Sequence, residues 1–322
     1  MTTKRHFLSL LAMLMLAASP LQAAPPASSG ALAYVPNEGS ATISVIDTVT
    51  DEVIAELPGG GKPRGLAVGG DRRWLYVSDQ PNNRLQLVDL GTRKLGPAIG
   101  LGESPEGVSI SPDGRWVVAA VEGKNEIAVT DTRSNALAFS IKVHGKNPEH
   151  AVFSPDGRQL FVSAEDGEAV DVIDFAARKQ VAQVAVGARP RGIGFLPDGS
   201  RAYVGAENAN EVFVIDTAKL NVVARIKAGL RANGIAVHPS GREVYASNGG
   251  DATVSVIDTA TNQLVATIPA GQRPWNMALT PDGKKLYVAN GRSNAVSVID
   301  TASRTKLRDI PVGKLPWGVV IR

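Results

Sequence analysis

An aspartate closing a short apolar run recurs seven times in this chain, at Asp47, Asp89, Asp131, Asp174, Asp216, Asp258 and Asp300. Successive spacings are 42, 42, 43, 42, 42 and 42 residues. A period of about 40–45 residues made of short strands is the mark of a β-propeller blade, a unit that buries its apolar faces only against neighbouring copies. The last repeat shows the parts. Trp275 to Leu279 is a short apolar strand, and Thr280-Pro281-Asp282-Gly283 is a turn in which proline fixes φ and glycine takes the left-handed position. Lys285 to Ala289 alternates as a half-buried strand. Ala295 to Asp300 is a third strand and Lys306 to Ile310 an outer fourth.

Two positions recur within this frame. Thirteen residues before each aspartate stand Tyr34, Tyr76, Val118, Phe161, Tyr203, Tyr245 and Tyr287, large side chains suited to the wedge between twisted blades. The marker aspartates, and those of the Pro-Asp-Gly turns at 112–114, 155–157, 197–199 and 281–283, read as turn formers that bond nearby backbone N–H groups. The repeat begins at Leu32-Ala33-Tyr34-Val35 as a second strand and stops at Trp317 to Ile321 as a first strand. Together the two fragments make one blade. The expected fold is all-β, a seven-bladed propeller of four-stranded antiparallel blades over residues 32–322, its ring closed by the C-terminal strand in the N-terminal blade.

The first residues carry a different pattern. Lys4 and Arg5 precede an apolar stretch from Phe7 to Ala18, and Leu21-Gln22-Ala23 offers a small residue before a cut. Residues 1–23 read as a secretory signal peptide, too short for a membrane span, and 24–31 as a tether. The reading implies export to a periplasm, or secretion. The 322 residues contain no cysteine, which removes disulfides, thiolate chemistry and a lipid-anchor cysteine. Net charge is +3, with two positive charges in the leader, so bulk charge calls for neither nucleic acid nor a membrane surface.

Tyr203-Val204, Tyr287-Val288-Ala289-Asn290, the Val-Ile-Asp-Thr runs at 256–259 and 298–301 and the Ser-Pro-Asp-Gly turns together resemble the YVTN-type β-propeller repeat. The ending Val312-Gly313-Lys314-Leu315-Pro316-Trp317-Gly318-Val319-Val320 is similar to the subgroup found beside quinoprotein-dependent alcohol catabolism. The resemblance implies an exported seven-bladed propeller that binds a ligand or partner. It implies no single activity, because distant relatives include lactonases.

Function must then be read from the loops at the channel mouth. The loop before each first strand carries a Gly-x-x-Pro-like phrase. The residue after the proline, or after Ala232 in its place in the fifth of these loops, is Arg64, Glu106, Glu149, Arg191, Asn233, Trp275 or Trp317, and the next is Gly65, Gly107, His150, Gly192, Gly234, Asn276 or Gly318. With the closing blade counted as one, blades three and four are acidic: Glu103, Glu106 and Glu149 are joined by Glu122, Glu165 and Asp166 of the second-to-third loops. Glu207 follows in blade five. Lys62, Arg64, Arg189, Arg191, Arg231 and Arg273 are basic, and Trp275 and Trp317 sit on adjacent blades. Arginine beside tryptophan suits a planar anion, through bidentate hydrogen bonds and stacking. The same charges could instead neutralise one another across blades.

The candidate ligand-binding set is Arg64, Glu106, Glu149, His150, Arg191, Asn233, Trp275, Asn276 and Trp317. Arg64 and Arg191 would hold an anionic group, the tryptophans would stack, and Asn276 would orient the ligand. No catalytic residue, cofactor or membrane span is expected. The expected partner is a periplasmic protein or a planar anionic small molecule, taken up by a monomer, and the resemblance implies an accessory role in a quinoprotein oxidation system. The alternative is a metal-assisted lactonase or esterase-like hydrolase. It requires His150, Glu106 and Glu149 to gather around one cation, although neighbouring strand residues point to opposite faces. No GxSxG elbow appears, and no nucleic-acid stacking motif. On the opposite mouth Leu32, Trp74 and Trp116 occupy a position that is polar in the other blades, an arrangement suited to a partner contact or to packing against the tether.

Overall fold

The computed structural model describes residues 30–322. The leader and nearly all of the tether lie outside the described residues. Seven four-stranded antiparallel sheets form the ring. The closing blade places Val320–Ile321 beside Leu32–Asn37, followed by Thr42–Asp47 and Glu52–Pro58. Leu32 and Arg322 exchange both backbone bonds, at 2.9 and 3.0 Å, and the Trp317 N–H donates to the Pro36 carbonyl at 2.9 Å. Both chain ends of the propeller are thus fixed in one sheet, as the strand count required. Three single-turn 3₁₀ helices, Gln80–Asn82, Glu122–Lys124 and Glu165–Gly167, stand in the second-to-third loops of blades two to four, where the sequence suggested no helix.

The core is divided. Seven apolar clusters lie in the seven gaps between adjacent blades, each built from two sheets. Tyr76, Phe161, Tyr203, Tyr245 and Tyr287 are among the largest fully buried side chains. Their role exceeds wedge filling. The Tyr76 hydroxyl donates to Asn135 at 2.6 Å, and the Tyr203 hydroxyl to Asn262 at 2.9 Å. In each case the acceptor lies in the outer turn of the next blade, fifty-nine positions along. Tyr287 makes the corresponding bond across the ring closure to the Asp51 carboxylate. The residue at the receiving position has positive φ in every blade: Asp51, Arg93, Asn135, Arg178, Leu220, Asn262 and Arg304. The turn geometry explains this. All seven marker aspartates accept a backbone N–H two or three residues on, for example Val49 at 2.7 Å and Ser303 at 2.7 Å. The left-handed residue then returns the chain to the fourth strand.

The inner strands approach closely around the channel. A Cβ on Gly65 would stand 2.4 Å from the Val108 nitrogen of the next blade, and one on Gly234 2.5 Å from the Trp275 oxygen. Glycine is therefore a packing requirement at this wall, and His150 and Asn276 are the departures from it. On the opposite face Trp116 is half-buried and meets Phe139 and Phe175 edge-on at 5.8 and 6.1 Å between ring centroids. Trp74 lies over Gly96. Packing within the ring accounts for both tryptophans.

Replacing Tyr287 by Phe removes a buried bond to a carboxylate at the closure. It should destabilise the protein by about 1–3 kcal/mol, more than Tyr76→Phe, whose partner is a neutral amide. Shifts of the urea midpoint for the two variants measure the difference.

Candidate functional site

Seven of the nine expected residues line one cavity of about 150 Å³ at the channel mouth: Arg64, Glu149, Arg191, Asn233, Trp275, Asn276 and Trp317. The loops entering the first strands deliver these side chains, two of them (Trp275 and Asn276) from blade seven and none from blade three. Glu122, Glu165, Arg189 and Arg273 complete the wall. Glu106 is fully buried behind Arg64. His150 lines a second cavity on the far side of Trp317.

The charges pair across blades. Arg64 bridges Glu106 at 2.5 Å and Glu38 at 3.4 Å. Arg191 holds Glu149 at 2.6 Å, Glu207 at 3.0 Å and Glu165. Burial works against the charge on both guanidinium groups, but the surrounding carboxylates outweigh it and hold both above the usual arginine range. Arg64 and Arg191 thus already have carboxylate partners at the positions where an incoming anion was expected.

One position sets the balance around the ring. The residue directly after the second strand is Glu38, Gln80, Glu122, Glu165, Glu207, Gly249 or Gly291, taken blade by blade. Blades one to five therefore offer an acceptor, and blades six and seven offer none. Trp275 lies over Gly291, where a Cβ would come within 3.0 Å of the indole, and Arg273 passes Gly249. The arginines of this side converge on one carboxylate. Glu207, 1% exposed, faces Arg191 at 3.0 Å, Arg273 at 3.2 Å, Arg189 at 3.4 Å and Arg231 at 3.7 Å. Arg292 is exposed and makes no ion pair among the described residues. Burial, with repulsion from Arg231, Arg292 and Arg191, pulls the Arg273 guanidinium below its usual range despite the attraction of Glu207. The mouth has a cationic sector, centred on Arg273 and Trp275, whose ring centroid lies 5.6 Å from the guanidinium carbon. Arg273 was visible in the sequence as a loop arginine. Its importance lay in the two glycines opposite it, which the charge count passed over. Glu38 was missed because blade one was read only for its strands.

Other expected roles change. Trp317 stacks on His150 across the channel, with centroids 5.4 Å apart and planes at 13°. Asn276 donates its side-chain amide to the Trp317 carbonyl at 3.3 Å, and so fixes the tryptophan. His150 does not converge with Glu106 and Glu149, which are held by Arg64 and Arg191. No group of three metal-ligating side chains occurs among the described residues. The premise of the metal-assisted hydrolase therefore fails on geometry.

Glu106 carries a pH signature. Burial, reinforced by Glu149, pushes its carboxyl up to about 8 even with Arg64 beside it. A carboxyl raised on folding keeps its proton in the native state while the unfolded chain releases it. Its contribution is complete below the ordinary glutamate pKa and is lost as pH rises toward 8. Glu106→Gln should flatten the fall of the urea midpoint between about pH 5 and 8. Midpoints of both proteins measured across that window test it.

No curated protein matches the chain. Solved structures do. A chain of Kuenenia stuttgartiensis hydrazine synthase is 27% identical, with a TM-score of 0.78, covering 85% of this chain and 93% of that one. A functionally unknown protein from Desulfotomaculum acetoxidans is 17% identical, with a TM-score of 0.79, covering 90% and 98%. A putative 6-phosphogluconolactonase from Bacteroides uniformis is 20% identical, with a TM-score of 0.76, covering 91% and 100%. The last two likenesses concern the fold alone. The YNCE-like beta-propeller family model matches residues 108–322, from the first strand of blade three to the C-terminus. Those residues include the arginine-rich sector and the closing strand, and the chain belongs to the YNCE-like beta-propeller family.

Proposed function

We propose that this protein is an exported binding module that takes an anionic group, on a small molecule or a partner protein, at the cationic sector of its channel mouth. One observation carries the reading: Arg231 and Arg273 meet only the buried carboxylate of Glu207, which Arg189 and Arg191 already engage. An anion arriving beside Arg273 relieves that repulsion and gains charge-assisted hydrogen bonds, and Trp275 supplies a flat face. The ligand-binding set becomes Arg273, Arg231, Trp275 and Asn233, framed by Arg64, paired with Glu38 and bonded to Glu106, and by Arg191, paired with Glu149. The periplasm is the proposed location, on the strength of residues 1–23. Support of a quinoprotein oxidation system is the proposed context. The likeness to a chain of a hydrazine synthase is compatible with a propeller that works beside an enzyme.

Two experiments test this. Benzene-1,3-dicarboxylate, a rigid planar dianion, should bind in calorimetric titration, more weakly as salt rises, and Arg273→Ala should weaken it roughly tenfold or more. Equal binding by the variant would sink the assignment. Protein recovered from the periplasm should give an N-terminal sequence starting at or beside Ala24; an intact Met1 would refute export by this leader.

A further inference from the structure

Strand direction alternates within each sheet, so the first-to-second and third-to-fourth turns of every blade lie on the face opposite the mouth. In blades two to four these turns, residues 69–74, 89–94, 111–116, 131–136, 154–159 and 174–179, carry nine lysines and arginines against six aspartates. The corresponding turns of the other four blades, 47–52, 196–201, 216–221, 238–243, 258–263, 280–285 and 300–305, carry six against nine acidic residues. Positive charge is therefore gathered on one arc of three consecutive blades.

Most cations of that arc are unpaired. Arg72, Arg93, Lys94, Arg133, Arg178 and Lys179 are exposed and make no ion pair among the described residues. Elsewhere on this face Lys219, Lys284, Lys285 and Arg304 each have a carboxylate within 4.0 Å. All six aspartates of the arc accept a backbone N–H of their own turn, for example Thr92 at 2.8 Å and Arg115 at 3.0 Å, so their first role is in the fold. Three arginines of the arc rest on aromatic rings. Arg73 lies over Trp74 at 4.8 Å, Arg115 over Trp116 at 4.5 Å and Arg178 over Phe139 at 3.9 Å. A ring beneath the exposed Arg178 guanidinium limits its freedom yet occupies none of its N–H groups.

Apolar side chains stand among these charges. Leu95 and Leu137, directly after the third-to-fourth turns of blades two and three, are 47% and 41% exposed. A nucleic acid would meet the cations with phosphates but offers little to leucine. An anionic bilayer serves both, because its surface potential draws lysine and arginine while the headgroup boundary takes apolar side chains.

We propose that the turn-bearing face of blades two to four docks on an anionic lipid bilayer. Arg93, Lys94, Arg133 and Lys179 meet the lipid phosphates, and Leu95 and Leu137 enter the headgroup boundary. The mouth then points away from the membrane, open to its own ligand. Docking uses no residue of the mouth.

Vesicles of equimolar phosphatidylglycerol and phosphatidylcholine are the probe, and pure phosphatidylcholine vesicles the control. The mature protein should sediment with the first and not the second. Salt at about 1 M, where the screening length falls to about 3 Å, should release it. Lys94→Gln and Arg133→Gln, which break no ion pair, should each weaken binding about fivefold, and Lys219→Gln in blade five should leave it unchanged. Hydrogen exchange in the unaltered protein should slow at 89–94 and 131–136 on the vesicles and stay unchanged in the mouth loop 270–273. That readout needs no variant. Equal sedimentation with the two lipids would overturn the proposal, as would slowing confined to the mouth. Tighter binding to a DNA duplex at the same phosphate concentration would overturn it in favour of nucleic acid. Saturating benzene-1,3-dicarboxylate should leave vesicle binding unchanged, so failure at the mouth and failure at this face are read separately.

Discussion

Every blade depends on its neighbours for both of its faces. The apolar clusters lie between sheets, each shared by two blades, so no sheet buries its own surface. Such a ring is stable only when closed, since an open one would expose two blade faces and a sheet edge. Closure rests on the apolar cluster between blades seven and one, the paired backbone bonds of Leu32 and Arg322, and the Tyr287 hydroxyl on Asp51. The Tyr287–Asp51 contact repeats one made elsewhere in the ring with an asparagine, at the seam where the two ends of the propeller meet.

The same crowding decides where chemistry can sit. The inner strands approach so closely that a Cβ at Gly65 or Gly234 would meet backbone atoms of the next blade. Variation is therefore pushed outward, into the loops at the mouth. There the side chains face one another across a narrow ring, and burying so many charges demands partners. Pairs of this kind are weak evidence for stability, because desolvation offsets much of their attraction. Their effect here is positional. Arg191, held by three carboxylates, has little freedom to move.

The repeat period made the architecture legible, because one aspartate per blade marks a turn whose backbone bonds need that side chain. Asp47 and Asp300 bond their turns alike, although 253 positions separate them in the sequence. The mouth was legible in part. Blade-by-blade alignment gathered seven of the nine expected residues, since equivalent positions in a ring face the same axis. It could not show which charges neutralise which, because that depends on lateral distance between blades. Nor could it show that Trp317 crosses the channel to His150. A contact between non-neighbouring blades leaves no trace in spacing. Glu38 was overlooked because it follows a strand from the fragmentary first blade.

The asymmetry of the mouth follows from an absence of side chains. Gly249 and Gly291 stand where four blades carry glutamate and one glutamine. Each substitution does two things. It withdraws a carboxylate from the neighbouring arginine, and it clears the volume into which Arg273 and Trp275 extend. A ring made only to be stable would place an acceptor in all seven blades, since each buried guanidinium gains by it. Five blades do so and two do not, and the two are adjacent. The unmet charge is thereby concentrated on one arc, beside an aromatic face and against a frame fixed by ion pairs. Pre-organisation of this kind lowers the ordering cost of binding, which otherwise consumes much of the energy gained at a contact.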